Sequence, residues 1–131
     1  MSVATLLASG LRLFTPLSKT KRMEVTVPAG GWTAGAIVKF EDTVGVSFGT
    51  YAAGDIGVLI YEADEIEVAC AAASGSDYKQ GASVFFDVAD TEVNESSTGN
   101  FHCGSVVEQP AASAVKVKIS LRGANADAAS A

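Results

Sequence analysis

From Arg22 onward, apolar and polar residues alternate in short runs. Met23, Val25 and Val27 fall on one side of an extended chain, with Glu24 and Thr26 on the other. Pro28 to Gly31 has the composition of a turn. Gly35 to Phe40 and Val44 to Phe48 read as the next strands, joined at Glu41-Asp42. A turn at Tyr51 to Asp55 leads into Ile56 to Tyr61 and Ile66 to Ala72, which read as two strands broken at Asp64. Further strands are predicted at Val84 to Val88, Thr91 to Glu95, Phe101 to Glu108 and Ala114 to Leu121. Short strands at regular spacing, opened by Gly and Pro turns, predict an all-β domain of about nine or ten strands. It is a single compact β-barrel or β-sandwich, and alternation alone leaves the choice between the two open.

The first 21 residues differ from this pattern. They hold no acid and no strand alternation, and Leu7, Leu11 and Phe14 stand at i, i+4 and i+7, a spacing that permits one or two helical turns ending at Pro16. The expected organisation is an extended N-terminal arm (1–21), a β domain (22–123) and a short flexible tail (124–131). An apolar arm that cannot bury its own face is a candidate for docking on another subunit. No positive region precedes Leu6 to Phe14, and Gly10 and Arg12 interrupt it, so a signal peptide is not expected. No apolar run reaches the roughly 20 residues that span a bilayer.

At 131 residues, the chain is long enough for one self-sufficient core. The net charge of -6 is unevenly spread: residues 1–39 carry five Lys/Arg against one Glu, while residues 40–115 carry Lys79 against thirteen acids. This fits a solvated acidic face, or a basic arm that docks on an acidic neighbour such as a second copy. The acidic body argues against nucleic acid, since Lys19, Lys21 and Arg22 stand beside no aromatic stacking platform. Cys70 and Cys103 sit in apolar strand contexts and read as buried free thiols, consistent with synthesis in a reducing cytoplasm.

Candidate chemistry is sparse. The lone His102 adjoins Cys103, and neighbours on a strand point to opposite faces, so a shared metal is disfavoured. Glu62, Asp64, Glu65 and Glu67 read as solvated charges guarding a hairpin. Asp87, Asp90, Glu92 and Asn94 offer oxygen ligands but lack the spacing and glycine of a calcium loop. There is no P-loop and no nucleophile elbow. No catalytic residue, metal ligand or cofactor is assigned. Trp32, after two glycines, reads either as a cover over the end of a barrel or as an interface anchor.

The ordered series VTVPAGGWTAGAIVKF, VGVSF, AAGDIGVLIYEADEIEV, YKQGASVFFDV and GNFHCGSVVEQPAASAVKVKISLRG resembles a family of small tailed-phage capsid proteins, the cement or head decoration proteins. Its most telling parts are the P-x-G-G-x-T-A-G turn, the A-A-G-D turn and the Q-G-x-x-V-[FY] strand opening. The resemblance covers about residues 22–123. It implies a β-rich protein on the outer surface of the virion head that bridges major capsid protein subunits. The expected partners are the major capsid protein and further copies of the chain, as a dimer or trimer, with no membrane and no nucleic acid. Some members of that family carry a recombinase label, which the missing P-loop contradicts for this chain. Leu6, Leu7, Leu11, Phe14, Lys19, Lys21, Arg22 and Trp32 are the expected interface residues. The alternative is a glycan-binding module, which requires Trp32, Tyr51 and Tyr78 to cluster on one exposed surface.

Overall fold

One long strand organises the rest. In the computed structural model, which describes residues 5–6, 12–73, 77–124 and 126, strand β6 (Ile56–Ala69) runs through 14 residues without a break. The other strands are β1 (Thr5–Leu6), β2 (Arg12–Leu13), β3 (Lys21–Thr26), β4 (Ile37–Phe40), β5 (Thr43–Ser47), β7 (Ser83–Asp87), β8 (Glu92–Asn94), β9 (Phe101–Glu108) and β10 (Lys116–Arg122). All ten belong to one sheet. Glu62, near the middle of β6, is opposite Lys21 on one edge and Arg122 on the other. Along the first edge the chain lays down β2 and then β3. Along the second lie β10 and then β5.

The fold is therefore all-β, as the alternation predicts, and the strand pairing makes it a nearly closed barrel. From β10 the sheet continues through β9 and β7 to β8. β8 returns to the end of β6 through a parallel bridge between Cys70 and Val93, where the Ala71 N–H donates to the Val93 carbonyl at 2.9 Å. Inward-facing side chains fill the interior, among them Ile66, Val68, Phe86, Cys103, Ile119 and Leu121.

The first half of β6 belongs to a second lobe, with strand order β4-β5-β6-β3. Its sheet buries both faces. Ile37, Val44, Val46 and Ile60 join the barrel core, whereas Met23, Val25, Val38, Phe40 and Leu59 form a smaller cluster with Trp32 and Tyr51. The lobes meet closely at Gly123: the Val44 N–H donates to its carbonyl at 2.9 Å, and its own N–H donates to Tyr61 at 2.8 Å. A Cβ on Gly123 would overlap the Val44 carbonyl oxygen.

Two sequence expectations are corrected. Asp64 does not break β6 into a hairpin. Against β10, the register passes from Ile66↔Ile119 to Ala63↔Leu121, so Asp64 and Glu65 together oppose Ser120 in a bulge. The bulge lets two consecutive acids face water while Ala63 and Ile66 on either side both face the core. The N-terminal segment is not helical where described: β1 and β2 pair with each other, and Leu13 pairs with Ile66. Its three-residue spacing is overridden by the free edge of β6, which supplies hydrogen bonds to Phe14 and Thr15 and a buried site for Leu13. A single turn of 3-10 helix at Leu17–Lys19 follows, closed where the Thr20 hydroxyl donates to the Leu17 carbonyl at 2.7 Å.

Candidate interface

The segment from Leu13 to Thr26 is laid along one edge of β6, and three kinds of contact hold it there. Leu13 is 1% exposed, in the main core. Burying such a leucine contributes roughly 1.5–3 kcal/mol. Thr15 secures the bulge: both its N–H (3.1 Å) and the N–H of Phe14 (3.0 Å) donate to the Glu65 carbonyl, and its hydroxyl accepts from the Glu65 N–H at 2.8 Å. Ion pairs come third. Lys21 Nζ lies 3.8 Å from Glu62 Oε2, with both groups substantially exposed. Pairs of that kind contribute about 0–1 kcal/mol, so they guide the path of the chain more than they fix it.

The sequence's charge asymmetry is met partly within the chain. Lys118 Nζ stands between Glu65 (4.0 Å) and Glu108 (3.8 Å), and also 4.0 Å over the Phe14 ring. Arg122 donates to Asp64 at 2.7 Å and to the Ala63 carbonyl at 3.2 Å. Basic residues near both ends of the domain thus converge on the acidic middle of β6. Two open hollows lie side by side along this edge. One, of about 670 Å³, is lined by Phe14, Thr15, Pro16, Lys19, Glu62, Asp64 and Glu65. The other, of about 530 Å³, runs from Thr20 through Glu24 to Val58 and Tyr61.

Of the residues singled out from sequence, Phe14, Lys19, Lys21 and Arg22 come together along this edge. Leu6 is in β1, and Leu7 and Leu11 lie outside the described residues. Trp32 is elsewhere. It is 7% exposed, edge-on to Phe40 (centroids 6.0 Å apart, planes at 86°), with its main chain bridged to Tyr51. It covers the smaller cluster and leaves little surface for a partner. Tyr78 is also buried and packs in the other cluster, so Trp32, Tyr51 and Tyr78 do not form the exposed group that glycan binding requires.

The other candidates have local roles. His102 is exposed with its ring against Phe85 (centroids 5.3 Å apart), while Cys103 faces the core. Burial pushes the Cys103 thiol up to about 12. Asp87 braces its own turn, its Oδ1 accepting from the N–H groups of Ala89 and Asp90. Burial, then Asp90 and Asp87, raise the carboxyl pKa of Glu92. Cys70 and Cys103 are both free and buried. Sequence reading missed Thr15, for which no signal existed. It also left out Lys118 and Arg122, whose placement on β10 beside the acids of β6 follows only from strand order.

The chain is an all-β body with paired edge charges and short braced turns. The chain belongs to the phage cement protein family, whose model matches residues 17–121. It is a structural protein of the phage virion, associated with the capsid. No curated protein and no solved structure matches it.

Proposed function

We propose that this protein binds the outside of the phage head shell, bridges major capsid protein subunits and strengthens the shell against internal pressure, acting as a small homo-oligomer. Membership of the cement family across residues 17–121 carries this reading. The edge of β6 that holds Leu13 to Thr26 supports it, since four of the residues expected to meet a neighbour, Phe14, Lys19, Lys21 and Arg22, line two open hollows there. Each contact can be modest, because copies fixed in a lattice bind with high effective concentration.

The test is binding of the full chain to expanded, undecorated heads, followed by electron cryo-microscopy. Saturable density at fixed lattice positions, with heads that then resist heat or chelator better, is the expected result. Absence of binding at saturating protein would refute the reading. Removing residues 2–11 keeps Leu13 and Thr15 and should lower occupancy. Unchanged occupancy would take the N-terminal contact out of the proposal.

A further inference from the structure

Strand β3 has a used edge and a free one. Among the described residues it pairs with β6 alone. The main chain of Val27, just past β3, faces the β6 side: its N–H donates to Asp55 at 2.8 Å and its carbonyl accepts from Gly54 at 2.8 Å. Hydrogen-bonding direction alternates along a strand. Counting back from Val27, the N–H and C=O groups of Thr26, Glu24 and Arg22 point away from β6. The irregularity near the start of β3 places the extra residue on β6, so the count holds through Arg22. Arg22 and Glu24 are exposed, and neither side chain has an ion pair among the described residues.

We propose that β3 is the seam of a homodimer, in which the free β3 edges of two copies pair antiparallel about a twofold axis at Met23. This deepens the self-association part of the function proposed above, and rests on that reading. In this register Arg22 lies opposite Glu24 of the second copy, and the twofold repeats the pair, as a closed isologous contact requires. Both pairs use outward-pointing main-chain groups, so each can exchange two N–H···O bonds. The neighbouring hydrogen-bonded registers set Arg22 against Arg22 or Glu24 against Glu24, and like charges directly opposite are destabilising. Charge thus selects one register and selects a second copy of this chain as the occupant. Charged residues on an edge strand usually guard against pairing, but this pair guards against strands other than its own. Met23 completes the match. It is half-buried at the rim of the smaller apolar cluster, and on the axis it meets its counterpart at a close, non-hydrogen-bonded position.

Sedimentation of the full chain over a concentration series, with charge-reversal variants, tests this. The wild type should dimerise. Arg22→Glu and Glu24→Arg should each weaken the dimer by about a hundredfold, since like-charge contacts across an interface cost several kcal/mol. The double variant R22E/E24R restores both pairs and should restore the dimer, an outcome that neither misfolding nor general loss of charge produces. Met23→Cys should cross-link to itself under mild oxidation, because its Cα atoms would stand about 4.5 Å apart, within disulfide range. The native thiols are buried and do not compete. A wild type that stays monomeric at all concentrations, or a double variant as weak as the singles, would overturn the proposal. So would β3 amides protected from exchange only on heads, by a protein monomeric in solution, for then a capsid strand occupies the edge. A β3 dimer that fails to bind heads would leave this inference standing and refute the capsid reading instead.

Discussion

Tyr78 closes the barrel, and deleting one oxygen tests how much. The residue is 3% exposed. Its hydroxyl donates to the Ala71 carbonyl at 3.0 Å and lies 3.4 Å from the Val93 carbonyl, the two residues whose main chains join β6 to β8. Its own N–H is held by Glu95 Oε1 at 2.8 Å. Burial, reinforced by Cys70, raises the phenol pKa, so the group remains a donor at neutral pH. Tyr78→Phe keeps the ring and removes only the donor. The Val93 carbonyl keeps its bond from Ala71, so the loss is one good hydrogen bond and part of a second. That amounts to about 1–2 kcal/mol, against about 3–5 kcal/mol if the ring went as well. Urea denaturation should show a lower midpoint with an unchanged slope. Native-state hydrogen exchange should show the Ala71 amide, which closes the seam, losing protection by at least as much. A variant within about 0.3 kcal/mol of the parent, with the Ala71 amide unchanged, would refute the reasoning, because the threshold lies well below the net value of a buried hydrogen bond. The seam would then be held by the main chain alone.

Two other perturbations follow from the packing. Gly123→Ala puts a methyl group onto the Val44 carbonyl where the two lobes meet; overpacking of this kind costs about 1–3 kcal/mol or more, and a thermal midpoint equal to the parent's would show that the backbone yields there. For Cys103, the folded thiol is raised from 9.0 to about 12, so its contribution is complete below pH 9 and is lost as pH rises from 9 through 12. Stability should fall by about 1.4 kcal/mol per pH unit in that window from this group, and Cys103→Ala should flatten the slope by that amount when denaturation midpoints are compared within that window.

The strands of the β domain were legible wherever one face meets the core and the other meets water. Met23 to Val27 alternates because β3 is such a strand, and the turns at Pro28 and Tyr51 declare themselves by composition. β6 was misread for a physical reason: two adjacent acids look like a turn, yet a bulge exposes both without ending the strand. The path of Arg12 to Thr15 was hidden because it depends on a free edge some 50 residues further along the chain. Barrel closure was equally hidden, since the Cys70–Val93 bridge joins parallel segments that no local pattern relates. At the candidate interface, sequence marked Phe14, Lys19, Lys21 and Arg22, which the fold gathers. It offered two readings of Trp32, barrel-end cover or interface anchor, and the side chain is buried in the smaller cluster.

Because β6 serves both lobes, one continuous strand runs from one to the other among the described residues. A strand of 14 residues spans roughly 45 Å at about 3.3 Å per residue. Partners gripping opposite ends would be held at a set separation, with β6 as the gauge between them. A pull along that line would load the hydrogen bonds to β3, β5 and β10 in shear, many at once, instead of peeling them one by one.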